Sequence, residues 1–344
     1  MNDNFDFNPQ NNEIAMSNEE KKAHTSTFSK LCLSYFIYFV VIELLALGVG
    51  TVIKNSYPQL LQDYNISMIL TSIIQYAIAF PVFVLFIKKL PAHAPQKNTL
   101  SGKRIWKYAT ISMFLMYVGN YISATLMMYM EEGLGTIPDN YVEDMLGNTN
   151  IILSIIIVGI IGPIVEELMF RKLLIDRLMP YGEVVAIFFP ALVFGLIHGN
   201  LYQFFYAFLL GAAFSYIYVR SGKIIYSTLL HIFINLFCGV LPSYIMGMLD
   251  YDMLLEYVTE GTITEEYIEA NLLPLSLLGI YEMVFFVMIF VGIFKLSRNL
   301  KYLRFNKGEV RFPKGEGATI MFFNVGAIAL ITYCLITIAI NTFS

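Results

Sequence analysis

The chain has 344 residues, of which 57% are hydrophobic and 14% charged, with a mean hydropathy of +0.64. Apolar residues at that frequency, gathered in long blocks, exclude an ordinary water-soluble domain and imply an all-α, polytopic membrane bundle, because helices satisfy their own backbone inside a bilayer. The net charge of −4 is segregated by loop, and no basic patch with interleaved aromatics is present, which excludes nucleic acid as a partner.

Residues 1–28 are polar and rich in Asn, Glu and Lys, and read as a disordered cytoplasmic tail. The apolar run that follows is too long and too late for a cleaved signal peptide. Residues 29–344 read as the transmembrane bundle. Apolar segments lie near 31–53, 66–87, 105–130, 151–165 (running on to 171), 184–198, 201–219, 224–241, 273–294 and 318–340. The fifth is short for a span, so eight or nine transmembrane helices are expected.

Of the 22 Lys and Arg residues, all but Lys54 fall in alternate loops. One group precedes the first segment and another lies at Lys88–Lys107. Arg171, Lys172 and Arg177 follow the fourth segment, and Arg220 and Lys223 the sixth. A long group from Lys295 to Lys314 follows the eighth. The positive-inside rule then predicts nine crossings of the cell membrane with the N-terminus in the cytoplasm, and puts Arg171 at the inner surface. The opposite loops are acidic: Glu131, Glu132, Asp139, Glu143 and Asp144 after the third segment, and seven acids from Asp250 to Glu269 after the seventh. In the latter, Thr264-Glu265-Glu266-Tyr267 has the form of a cap on a short surface helix. Cys32, Cys238 and Cys334 lie in or beside apolar runs without metal spacing, as small packed residues do.

The fourth segment ends in Glu166-Glu167-Leu168-Met169-Phe170-Arg171. Acids at membrane depth are costly and persist mainly where they are paired or functional. Glu167 and Arg171 are spaced i, i+4 and can pair on one helix face, while Glu166 is turned about 100° away. Two histidines also lie in apolar segments. His198 follows Phe194 by one turn, and His231 shares a face with Asn235 at i, i+4. A lone intramembrane histidine reads as a helix–helix link; two of them with an asparagine and a diglutamate read as a reactive site. These groups suit peptide hydrolysis. A carboxylate in an apolar cavity can take a proton from water, and histidine and asparagine can donate to an oxyanion. A divalent metal such as zinc, held by Glu166, His198 and His231, would instead lower the pKa of a bound water. His-Glu-x-x-His and Gly-x-Ser-x-Gly sequences are absent, which argues against a helix-borne zinc protease and a serine nucleophile.

The set Glu166-Glu167-x-x-x-Arg171, Phe194-x-x-x-His198 and His231-x-x-x-Asn235 resembles the three-motif signature of the CPBP family. This family comprises CAAX proteases and bacteriocin-processing enzymes, also called Abi or type II CAAX prenyl endopeptidase-like proteins. The approach Arg220-Ser-Gly-Lys-Ile-Ile-Tyr-Ser-Thr-Leu-Leu230 is similar too. The resemblance spans roughly 151–240, the expected catalytic core. It implies an intramembrane protease whose cavity opens towards the cytoplasm. Glu166 would be the general base with His198 beside it, His231 and Asn235 the oxyanion pair, and Glu167 and Arg171 supporting residues. The implied substrate is a membrane-bound or lipidated peptide. Metal dependence, oligomeric state and substrate identity stay open.

Two features fit poorly with straight spans. From Val184 at the inner surface, His198 would lie about 21 Å deep, whereas Glu166 would lie only about 7 Å from Arg171. The stretch 173–190 is therefore expected to dip into the protein, or the fifth segment to be short and tilted with Pro190 marking the change. Glu43 and Glu282 are further intramembrane acids, bonded to other spans or lining the cavity. Two other functions use the same residues: a non-catalytic bacteriocin-immunity or scaffold protein, and a proton-coupled transporter. The transporter reading lacks the internal repeat such folds often carry.

Overall fold

The computed structural model describes residues 16–134, 141–249 and 265–343. In chain order the helices are α1 (Asn18–Ser56), α2 (Tyr64–Ile87), α3 (Gly102–Leu134), α4 (Tyr141–Asn148), α5 (Ile151–Tyr181) and α6 (Glu183–Leu196). They continue with α7 (Leu201–Ser221), α8 (Ile224–Met246), α9 (Glu265–Ala270), α10 (Leu272–Leu300), α11 (Gly317–Phe322) and α12 (Val325–Phe343). Among the described residues eight helices are long and apolar enough to cross a membrane, and α6 is a shorter apolar helix. The chain is a multi-pass, all-α membrane bundle.

α1 begins inside the stretch read as a tail. Ser17 Oγ accepts from the Glu20 N–H at 3.2 Å and the Glu20 carboxylate accepts from the Ser17 N–H at 2.8 Å, a reciprocal cap that starts the helix at Asn18. The remaining tail, residues 1–15, lies outside the described residues, as do Asp139, Thr264 and the acids of 250–264. The short helix expected near 265 is present as α9.

Short as it is, α6 runs the full way between the two ends of the bundle. At one end Glu183 pairs with Arg220 (2.8 Å) and accepts from Asn306 (2.9 Å), so the starts of α6 and of the segment after α10 meet the end of α7. The His93 N–H donates to the Asp176 carbonyl and the Asn98 N–H to the Ser221 carbonyl, joining the loop after α2 to the same place. Lys21 pairs with Glu316 there as well. All the basic loops thus share one end. At the other end, the Asn150 N–H donates to Asn65 Oδ1 (2.7 Å) and Asn341 Nδ2 to the Gly199 carbonyl (2.8 Å). The turn between α6 and α7 is at that far end, and the alternation expected for nine segments holds.

α7 is the central helix: α6 packs along one side and α3 along the other, with α10 outside α3, while α12 and α2 flank α1. Small residues permit these approaches, as packing rather than water exclusion holds helices together in lipid. A Cβ on Gly211 of α7 would come within 3.1 Å of the Ala191 backbone of α6, and one on Gly159 would overlap Leu236, where α5 crosses α8.

Three helices widen to π-helical turns at Ile73–Ala79, Ile155–Ile161 and Asn235–Val240. Each is followed two residues later by a proline, at Pro81, Pro163 and Pro242. A proline ring collides with the carbonyl one turn back and lacks an N–H, and the wider turn relieves both faults. Pro190, expected to mark a change of direction, sits inside an unbroken α6. Much of 173–190 is buried and the fifth segment is short, while the chain gets there as continuous helix: α5 runs on to Tyr181 and turns at Gly182 with φ 92°.

Candidate active site

The longer α5 removes the depth conflict. Arg171 is not at the surface but completely buried, and Glu166 lies midway along the helix. The half of the bundle nearest the basic loops is solid: Tyr35, Phe83, Ile87, Phe170, Leu174, Phe214 and Tyr218 are all buried to within 1%. The other half holds a cavity of about 590 Å³ lined by Glu166, His198, His231 and Asn235, among others. That is the size of a site for a small molecule or short peptide end. Its lining reaches Ser67 near the start of α2, Tyr202 near the start of α7 and Ser243 near the end of α8, all at the far end. The cavity therefore extends towards the end away from the basic loops, and aromatic packing fills the basic half.

At the cavity floor four side chains form a chain of contacts. Arg171 Nη2 is 3.1 Å from Glu167 Oε1 and Arg171 Nε donates to Glu167 Oε2 at 3.2 Å, both side chains being wholly buried. The guanidinium lies over Phe170, Phe194 and Phe214, 5.1–5.9 Å from their centroids, so three ring faces stabilise the charge where no water reaches. His231 Nδ1 is 3.1 Å from Glu167 Oε1. Its other nitrogen, Nε2, is 3.6 Å from Glu166 Oε2, and the Glu166 side chain is 29% exposed. Glu167 is the anchored acid and Glu166 the accessible one, as the 100° turn between them requires. The π-helical turns Ile155–Ile161 and Leu168–Ile175 bracket this pair, and such turns recur at functional sites.

His198 and Asn235 complete the lining. His198 Nδ1 lies 2.6 Å from the Phe194 carbonyl. A carbonyl only accepts, so Nδ1 carries the proton and the neutral ring leaves Nε2 as an acceptor. The Phe194 ring stands edge-on to both His198 and His231, at 4.8 and 5.8 Å. Asn235 Nδ2 donates to the Val158 carbonyl at 2.9 Å, opposite Gly159, and this fixes the amide with one N–H to spare. All six sequence-identified residues thus belong to one site. His231 lies 3.6 Å from Glu166, and His198 lines the same cavity. Among the described residues no group of three or more His, Cys, Asp and Glu side chains converges as a metal site. The two Nδ1 atoms are engaged, which leaves Nε2 of each ring for the cavity that Glu166 also lines.

Several polar cavity residues escaped the sequence analysis. Gln203 Nε2 donates to Tyr206 Oη at 2.7 Å and Asn200 Nδ2 to Gln203 Oε1 at 2.8 Å, a network on the first turns of α7. A Cβ on Gly162 would be 3.1 Å from Tyr76 Oη, which places that phenol beside Glu166. Only the i, i+3 spacing of Gln203 and Tyr206 signals any of this. Glu43 accepts from Tyr333 Oη at 2.7 Å and Glu282 is exposed on α10; neither lines the cavity.

Fold and site define a multi-pass membrane protein with a carboxylate–histidine constellation at the floor of an intramembrane cavity. Residues 148–237, which contain all six site residues, match the family described as type II CAAX prenyl endopeptidase Rce1-like. The chain is 25% identical over 179 residues to "Putative membrane peptidase YdiL" of Bacillus subtilis, covering 50% of this chain and 71% of that protein. It is 29% identical over 147 residues to "UPF0177 protein YxdF" of Lactococcus lactis, covering 42% of this chain and 81% of that protein. No solved structure matches.

Proposed function

We propose that the protein is an intramembrane endopeptidase that hydrolyses a peptide bond near the end of a membrane-anchored or lipidated peptide, using water activated by Glu166. The observation that carries this reading is the unbroken line Arg171–Glu167–His231–Glu166 ending at an accessible carboxylate on a cavity floor. In a low-dielectric setting a charge-balanced cluster is favoured over an unbalanced one. Two carboxylates, Arg171 and a protonated His231 cancel.

Glu166 takes a proton from a water whose other hydrogen is accepted by His198 Nε2. The resulting hydroxide adds to the scissile carbonyl carbon. Charge develops on the carbonyl oxygen, where the free N–H of Asn235 and Nε2–H of His231 donate to it. The C–N bond then breaks as Glu166 returns the proton to the departing amine, leaving a new carboxyl and a new amino terminus. Glu167 and Arg171 touch no substrate; they hold the His231 ring and its charge. No step requires a metal.

In this reading the basic end of the bundle faces the cytoplasm and α1 starts there. The test is incubation of purified protein in liposomes with a pool of membrane-tethered peptides, wild type beside Glu166→Gln. Cleavage by wild type and none by the variant supports the assignment. Equal cleavage by both removes Glu166 from the chemistry, and no cleavage by folded wild type favours a binding role for the same cavity.

A further inference from the structure

We infer that the site is served from the face of the membrane opposite the basic loops, so that the substrate is a peptide whose scissile bond is presented on the extracytoplasmic side. This rests on the hydrolytic reading above and adds where the substrate and the water come from.

Three independent observations carry it. First, the cavity is closed towards the basic end. Its floor is Glu166, Phe194 and His231, and behind them Arg171, Phe170, Phe214, Leu174 and Tyr218 are fully packed. Second, polar side chains stand among the apolar ones along the route to the far end. Ser67, Thr71, Gln75, Asn120, Gln203 and Ser243 line the cavity between Glu166 and that end. Hydroxyls and amides along a membrane cavity are costly unless water or a polar ligand meets them, so this is the path by which a hydrolytic water arrives. Third, the two ends differ in charge. The described residues of the far end include exposed Glu131, Glu132, Glu265, Glu266 and Glu269 against Lys54, while every other Lys and Arg lies towards the closed end. The positive-inside bias assigns the closed end to the cytoplasm and hence the open end to the outside.

The experiment is cysteine accessibility in intact cells, which needs no substrate and is independent of whether the protein cleaves anything. The full chain, with Cys32, Cys238 and Cys334 replaced by serine or alanine, carries one new cysteine at a time: Ser67→Cys or Ser243→Cys at the cavity mouth, Glu132→Cys on the far end, or Lys97→Cys in the exposed loop after α2. The probe is a membrane-impermeant maleimide, and each variant is kept only if it purifies as a monodisperse helical protein. We expect Glu132→Cys and at least one mouth variant to label in intact cells, and Lys97→Cys to label only after permeabilisation. Labelling of Lys97→Cys in intact cells, silence of Glu132→Cys, or silence of both mouth variants while Glu132→Cys reacts would each overturn the inference. A correct labelling pattern without peptide cleavage would count against the protease reading and leave the access face standing.

Discussion

His231 ties the two adjacent glutamates together from another helix: its Nδ1 lies 3.1 Å from Glu167 and its Nε2 3.6 Å from Glu166. The same contact joins α8 to α5. One ring therefore connects a wholly buried ion pair to a carboxylate that faces the cavity, and the two glutamates, neighbours in sequence, have different work.

Replacing each glutamate by glutamine separates that work. Glu166→Gln removes a proton acceptor from a partly exposed position and leaves the packing intact. The expected result is an unchanged thermal midpoint in detergent with kcat lower by about 10²–10⁴, the range for loss of a general base. Glu167→Gln leaves the Arg171 charge unpaired where no water reaches it. Breaking a buried pair costs about 3–5 kcal/mol, so this variant should show a large fall in midpoint before activity is considered. Equal midpoints for the two variants would contradict the division of roles.

Arg171 and Glu167 should also fail additivity. Arg171→Met leaves a buried carboxylate without its cation, but the methionine side chain still fills the space among Phe170, Phe194 and Phe214. In the double variant Glu167→Gln, Arg171→Met no uncompensated charge remains in the pair. Its midpoint is expected to lie above that of either single variant, a coupling well beyond the few tenths of a kcal/mol seen for independent sites. A double variant as unstable as the sum of the singles would mean that the pair is not the stabilising contact.

The sequence carried the site more completely than the fold around it. Glu167 with Arg171 and His231 with Asn235 were legible because i, i+4 spacing is a local property of a helix, and the side-chain partners within each helix follow from it. The pairing of His231 with Glu166 was not legible, since it depends on how α8 crosses α5 at Gly159. The burial of Arg171 was missed for a related reason. Grouping Arg171 with the loop charges under the positive-inside rule treated it as a surface charge, whereas Glu167 and three aromatic rings let the helix carry it into the core and run on to Tyr181. The direction in which the cavity opens has no local signature at all, because it is decided by which half of the bundle large side chains fill.

Asn235 provides a test of the oxyanion assignment. Asn235→Ala removes the free N–H and the bond to the Val158 carbonyl together, whereas Asn235→Asp keeps the shape and loses the donors. Both are expected to lower kcat by about 10²–10³ with little change in KM, as loss of a donor felt mainly in the transition state does. A rise in KM alone would instead assign Asn235 to ground-state binding of the peptide.

Metal removal should leave activity unchanged. His231 Nδ1 is engaged by Glu167 and His198 Nδ1 by the Phe194 carbonyl, which leaves Nε2 of each ring as the nitrogen a metal would use. For His231 that nitrogen already faces Glu166 at 3.6 Å, and among the described residues no third donor converges with them. Protein dialysed against a strong chelator is therefore expected to cleave at the undialysed rate, with no gain on adding zinc. Loss of activity on dialysis, restored by stoichiometric zinc and accompanied by zinc retained in the wild type but not in His198→Ala, would show that the cavity rearranges around a metal and that Glu166 acts as its ligand.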